Sequence, residues 1–434
     1  MDFIDALEYL YRQRPYGKIK LGLYRIEELV EKLGHPEKKF KSVHITGSNG
    51  KGSVTTFVHY LMKEHGYKVG GYISPHLSTI FERFPLNGGY ISKDRFLESF
   101  LKVKTSCEEM DKKGEEYAPS FFEFTTALSF QICADEDVDA ASIEVGLGGR
   151  YDATNVIIPK VSVIVTVSLE HTKILGNTIA KIAFEKAGII KEKVPVVLGN
   201  LPPVARDIVH HEAQKRQAPI FEYKKDFDFE VKDYKFNMNT FDYFGDTTIK
   251  NIPVKMNGTH QPINASIALK VFEIFHGKLD KDAVTRAFKN AFLPGRFEMY
   301  KGFLFDGSHN PQAAEKFVEN LSLYFPDKTK TAIIGILDDK DKNSVLSTLC
   351  PAFDKIIITK PPSHRAVNSY ETYEIARQLH DKVSYIEDPI NAFERLKTME
   401  GDLKIIVGSF YLVGYIRSYL EKGFVDKEWD VMRR

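Results

Sequence analysis

Apolar residues along this chain recur in two rhythms. Short β-like runs, SVHIT (42–46), VGGYIS (69–74), ASIEVG (141–146), VSVIVTVS (161–168) and VPVVLG (194–199), alternate with longer amphipathic stretches such as 93–112 and 177–191. Apolar runs separated by segments of helical period predict a doubly wound α/β domain with a mainly parallel sheet. Between 218 and 256 the rhythm changes. FDFEVKDYKFNMNTFDYF alternates polar and apolar residues and predicts a small antiparallel excursion. The helical pattern resumes near Asn264. FLPGR (292–296) carries Pro and Gly, and a fresh βα alternation follows in FLFDGS, TAIIGIL, KIIITK, VSYIE and LKIIVGS. A boundary is expected there, with a larger domain over 1–293 and a smaller Rossmann-like α/β domain over 294–434.

Composition narrows the partners. Lys plus Arg number 60 against 59 Asp plus Glu, so the net charge of +1 gives no electrostatic case for nucleic acid or a membrane surface. Cys107, Cys133 and Cys350 are far apart and form no CxxC pair, which predicts neither a disulfide framework nor a zinc site and suits a reducing cytoplasm. The opening MDFIDALEYLYRQR has acids spread through it and does not read as a signal peptide, and no run of apolar residues reaches membrane-spanning length.

The sharpest chemistry lies in HITGSNGKGSVTTFVHYLMKEHG. A β-like run ends at Thr46, then come Gly47, Asn49, Gly50, Lys51, Gly52 and Ser53, then an amphipathic helix. Glycines let backbone N–H groups curl around phosphate oxygens, and the helix N-terminus adds partial positive charge. Lys51 suits the β- and γ-phosphates and Ser53 a magnesium ion. The strict spacing GxxxxGK[ST] is not met, since Gly52 separates Lys51 from Ser53, and a plain glycine-rich turn is the alternative.

TGSNGKGS resembles the TGTNGKGS phosphate loop of folylpolyglutamate and dihydrofolate synthases, members of the Mur ligase superfamily. The likeness continues in order through LGLYRIEELVEKLG (21–34), SPHL (74–77), ERF…NG…IS (82–92), EVGLGGRYDATN (144–155), EHTKILG (170–176), EKAGIIK (185–191), LPGRFE (293–298), DGSHNP (306–311), DDKD (338–341) and GSFYLVG (408–414). The resemblance implies a Mur-ligase-like P-loop ATPase central domain followed by a glutamate-ligase domain. It also implies an ATP-dependent ligase that joins L-glutamate to a folate or dihydropteroate carboxylate through an acyl phosphate, as a cytoplasmic monomer.

That reaction brings anions together. Each pair of unit charges at ~4 Å costs about 1 kcal/mol in water and about 4 kcal/mol at an effective dielectric near 20, so Lys51 and further cations are required. Ser74, Glu144 and His171 end predicted strands, where open α/β sheets bind ligands, and with Ser53 they match the family's magnesium-binding positions, giving two expected Mg²⁺ sites. Read alone, Ser74 is a turn residue and His171 a cap or core histidine, whereas a carboxylate in the apolar strand of Glu144 needs a partner. Glu170 stands where the family has Asp, which lengthens the reach of any group orienting His171. Lys186 matches a carbamylated lysine, and an ordinary ion pair with Glu185 is the plain alternative.

The resemblance places ATP contacts at Asn264, Arg296 and Asp306, with Asp306 suited to ribose hydroxyls, and the glutamate side at His309 and Ser409. The folate slot is matched by Lys18, Ile19, Lys20 and Leu21, by Ser120, Phe121, Phe122 and Glu123, and by Tyr151, Asp152 and Ala153. Capping and core roles compete at each of these, for instance Asp152 capping the turn before Asn155. Other readings are a Mur-type ligase acting on another acid, a P-loop ATPase or switch, and a non-catalytic ATP-binding scaffold. A guanine-reading NKxD motif would mark a switch, and none is present.

Overall fold

The computed structural model describes residues 1–14, 20 and 22–433. Its first sheet is six-stranded and wholly parallel, in the spatial order Val69–Tyr72, Ala140–Glu144, Lys41–Thr46, Val161–Ile164, Val196–Leu198, Ile220–Glu222. The strands at its centre are buried along nearly their whole length, as a sheet covered on both faces requires. The chain order reverses around Lys41–Thr46, so a crevice opens at the carboxyl end of that strand, the usual ligand position in such sheets.

The antiparallel excursion is real but shorter than its predicted span. Asp228–Asp233, Asn239–Phe244 and Thr248–Val254 form a three-stranded antiparallel sheet. Ile220–Glu222 lies inside the 218–256 stretch yet pairs in parallel with Val196–Leu198 as the edge of the main sheet. Three residues are too few for period-two alternation to distinguish the two settings.

A second six-stranded sheet runs Glu298–Tyr300, Phe303–Asp306, Leu403–Val407, Lys330–Ile334, Lys355–Ile358, Val383–Tyr385. Only Glu298–Tyr300 is antiparallel, as a hairpin with Phe303–Asp306. Helix starts follow local chemistry. Ser92 accepts from Arg95 N–H at the head of Lys93–Asp111, and Asn310 accepts from Ala313 N–H ahead of Pro311 in Pro311–Tyr324.

The helix Lys427–Arg433, counted with the second domain in the sequence, packs on the first. Val431 joins the core that holds Phe3, Phe96 and Phe100, and Glu428 accepts the Ile80 N–H at 2.7 Å. The three cysteines are buried free thiols. No helix among the described residues is long and apolar enough to cross a membrane.

Candidate active site

The phosphate loop leaves the strand Lys41–Thr46 and turns into the helix Lys51–Glu64 at Gly50, whose φ is 84°. No side chain caps that helix, so its first N–H groups are left for an anion. Space also excludes a side chain at Gly50, where a Cβ would fall 2.8 Å from Asn264 Oδ1 and 2.9 Å from Val165 Cγ1. Thr166 braces the loop from just beyond the neighbouring strand Val161–Ile164. It accepts from Asn49 N–H and donates to Asn49 O, both at 2.9 Å. Lys51 folds back and donates to Gly47 O at 2.6 Å and Ser48 O at 3.3 Å. Ser53 is buried and meets the Gln261 side-chain amide at 3.4 Å. Gln261 and Asn264 share the helix Gln261–His276, which packs along Lys51–Glu64.

Glu144 is buried at the end of its strand and accepts the Ser74 backbone N–H on Oε2 at 2.9 Å. Burial raises its carboxyl pKa, against the pull of Lys51, the Ser74 N–H and Arg296. A Cβ on Gly52 would sit 3.8 Å from Oε1, so the carboxylate borders the phosphate loop. Beside it lies a cavity of about 180 Å³ whose lining includes Gly52, Ser74, Tyr90, Glu144, Arg296 and Phe410.

His171 is exposed, with φ 45°, ahead of the short helix Thr172–Leu175. Loss of solvent lowers its imidazole pKa. Glu170 opposes that, and Lys340, Lys51 and Lys186 add to it. Lys186 is 1% exposed and donates to Glu170 Oε1 at 2.6 Å. Its ion-pair partner is therefore Glu170, sixteen residues upstream, rather than Glu185. The extra methylene of Glu170 is spent on reaching Lys186. Burial pulls the Lys186 pKa down to about 8 despite this pairing.

From the second sheet, Arg296 stacks 4.4 Å over the Phe410 ring. Asp306 accepts from Phe297 N–H and Ser308 N–H, each at 2.8 Å, and from the Ser308 hydroxyl. Three donors on one buried carboxylate brace the turn that carries Arg296 and take three of its roughly four acceptor sites. His309 has Nδ1 at 3.0 Å from Gly307 O, and burial pushes its pKa down to about 4, so the ring is neutral with Nε2 left as acceptor. The Ser409 hydroxyl is buried and caps the helix Phe410–Lys422 by accepting Leu412 N–H at 3.1 Å.

The expected folate slot divides. Lys18, Ile19 and Leu21 lie outside the described residues. Lys20 donates to Glu115 O at 2.8 Å and Ala118 O at 2.9 Å. Ser120 and Glu123 form a capping box for the helix Phe121–Asp135, and Glu123 makes a buried 2.8 Å ion pair with Arg25. Phe121 is core, whereas Phe122 is half-buried against Gly146 and Tyr72. Tyr151 is 51% exposed, Ala153 is buried, and Asp152 accepts Leu147 N–H at 2.8 Å and Thr154 N–H at 3.0 Å. Burial pushes the Asp152 carboxyl up to about 6.

Three cleft residues were not singled out from the sequence. The Gln312 side chain bonds to that of Asn49 and accepts from Ser168 Oγ at 3.2 Å, bridging the two sheets' territories. Lys340 adds positive charge at His171 and His309. Phe410 carries Arg296. The last two lie inside the DDKD and GSFYLVG motifs, and Gln312 follows DGSHNP directly.

Known proteins resemble the chain throughout. Residues 45–272 match the Mur ligase middle domain and residues 295–410 the Mur ligase glutamate ligase domain. A dihydrofolate synthase/folylpolyglutamate synthase of Bacillus subtilis is 32% identical, over 96% of this chain and 99% of its own. The crystal structure of a Thermotoga maritima folylpolyglutamate synthase superposes with a TM-score of 0.90 at 40% identity, covering 98% of both chains. A Mycobacterium tuberculosis folylpolyglutamate synthase, solved with ADP and AMPPCP, gives 0.89 at 31% identity over 98% of this chain and 100% of its own.

Proposed function

The chain belongs to the folylpolyglutamate synthase/dihydrofolate synthase family of the Mur ligase superfamily, and from that premise we propose how its cleft does the chemistry. It is an ATP-dependent ligase that adds L-glutamate to the carboxylate of a folate, of dihydropteroate, or of both. The observation that carries the site assignment is that Glu144 and Arg296 line one cavity beside the phosphate loop, with the Lys51 ammonium near enough to act on Glu144.

On this reading residues 1–293 hold ATP and the acid, and 294–434 supply the glutamate side. ATP lies along Gly47–Ser53, with Asn264 behind Gly50 and Arg296 reaching across from Phe410. The acid's carboxylate oxygen attacks the γ-phosphorus, the bond from phosphorus to the bridging oxygen breaks, and ADP leaves. The amine of glutamate then attacks the acyl carbon, phosphate departs, and the amine gives up a proton. Lys51 and Arg296 offset the charge that gathers in the first step. The protein offers no nucleophile of its own, and its buried thiols have no part.

The donor set fits magnesium. Among the described residues no three His, Cys, Asp or Glu side chains cluster, so an ion here would draw on hydroxyls, phosphate oxygens and water, as Mg²⁺ prefers. Ser53, Ser74, Glu144 and His171 are the protein groups assigned to two sites. Bound there, magnesium would neutralise phosphate charge. Glu144→Gln is expected to raise the Mg²⁺ concentration for half-maximal turnover by about tenfold, with nucleotide affinity changed far less. A titration matching the parent enzyme would remove Glu144 from the metal site.

Phosphate release by purified enzyme, with dihydropteroate or tetrahydrofolate and with or without glutamate, tests the whole reading. Sustained release should need both an acid and glutamate, and the acid that supports it separates the two activities. On the same reading the enzyme is a cytoplasmic monomer acting without nucleic acid or membrane, and light scattering on that preparation checks the mass of one chain. Steady release indifferent to both substrates would leave only an ATPase.

A further inference from the structure

Side chains of the strand Lys41–Thr46 face two ways. Val43 and Ile45 enter an apolar core. Ser42, His44 and Thr46 take the alternate positions and are also buried, His44 and Thr46 completely. A central parallel strand is ordinarily apolar on both faces, and a buried polar side chain is costly unless paired. Two of these find partners in one stretch of chain. The Thr46 hydroxyl donates to Gly148 O at 2.7 Å, and His44 Nε2 lies 2.8 Å from Thr154 Oγ1. Thr154 Oγ1 in turn donates to Asp152 Oδ1 at 2.5 Å.

The direction of this relay follows from proton counting. A hydroxyl has one proton, and Thr154 commits it to the carboxylate. Its oxygen must then accept from His44, which places the imidazole proton on Nε2. His44 Nδ1 is buried and has no partner among the described residues. Moving the proton there would bury an unmatched donor. Lys191 faces His44 and helps burial keep it neutral. At the other end, the Thr154 hydroxyl and the backbone N–H groups of Leu147 and Thr154 donate to Asp152 and favour its ionised form against burial.

We propose that His44 is a positioning residue for the acid substrate: through Thr154 it holds the Asp152 carboxylate in one orientation, its remaining acceptor site turned to an N–H donor on the substrate ring. The proposal rests on the assignment of Asp152 to the folate slot. It makes the strand that delivers the phosphate loop also the support of substrate recognition.

Steady-state KM values for ATP and for whichever acid, dihydropteroate or tetrahydrofolate, supports turnover, measured separately, test it in His44→Leu, His44→Gln, Thr154→Val, Thr154→Ser and Asp152→Asn, with thermal unfolding alongside. His44→Leu and Thr154→Val should each raise the KM for the acid by about tenfold, the worth of one buried hydrogen bond, and leave that for ATP within about twofold. His44→Gln and Thr154→Ser keep the donors and should stay near the parent. The His44→Leu/Thr154→Val double variant should be no worse than either alone. If His44→Leu does not fold, the near-isosteric Thr154→Val decides. A raised acid KM in Asp152→Asn with none in Thr154→Val overturns the relay. An equal rise in both KM values, or a loss of thermal stability with unchanged kinetics, also overturns it by making His44 merely structural. An Asp152→Asn variant with normal acid KM removes the slot assignment beneath it.

Discussion

Replacing Lys51 by alanine should lower ligase turnover at least about 100-fold, roughly 2.7 kcal/mol of barrier, while the fold survives. The ammonium rests on the carbonyls of Gly47 and Ser48, partly buried at the rim of the loop. Losing this contact should cost on the order of 1 kcal/mol of stability, well short of what the fold depends on. The transferring phosphate depends on the ammonium more. It meets the substrate carboxylate in a cleft where solvent screening is reduced, and a fixed cation there acts on charge as it develops. Turnover in the phosphate-release assay, set against thermal unfolding of the same variant, separates the two effects. Near-normal turnover would rule out the assigned role.

Lys186→Ala should be nearly inactive, and acetate or formate should restore part of the activity. Burial brings the Lys186 pKa to about 8. At pH 7 about one amine in ten is then neutral, against roughly one in three thousand at the ordinary value. Only the neutral amine adds to carbon dioxide, forming an N–C bond and releasing one proton to leave a carbamate. A carbamate on Lys186 would replace by an anion the cation that now lies 2.6 Å from Glu170 Oε1. Two acids so close require a cation between them, and Lys51 and bound magnesium are the candidates. A small carboxylate would fill the gap left by alanine with the same charge and two oxygens. Rescue by methylamine and not by carboxylates would show that the lysine acts as a cation, and the carbamate assignment would fall.

What the sequence revealed depended on how local each feature is. The phosphate loop was legible because its strand, glycines and helix are contiguous, and apart from Glu298–Tyr300 and Ile220–Glu222 the strands of both sheets fell on the predicted apolar runs. Ile220–Glu222 was assigned to the wrong neighbourhood because three residues do not define a period. The pairing of Lys186 with Glu170 depends on a loop crossing over a helix, and no spacing rule predicts it. Ser120 and Glu123 are a different case. The S-x-x-E pattern before an apolar run is a capping signature in its own right, and it accounts for both side chains in the structure. Gln312 and Lys340 were passed over because their partners, Asn49 and His171, lie across the cleft, and Phe410 because Arg296 is far away along the chain.

The helix Lys427–Arg433 changes how the protein can be taken apart. Its Trp429 and Val431 are buried, Val431 among residues of the first domain, and Glu428 holds the Ile80 backbone. A cut between 293 and 294 would therefore not yield two complete modules. One fragment would carry a helix that keeps only its Tyr415 contact, and the other an apolar groove stripped of its cover. Because Trp429 also packs edge-on against Tyr415, chimaeras that exchange the glutamate-side domain between relatives must match this helix to both bodies it bridges, not only to the junction in FLPGR.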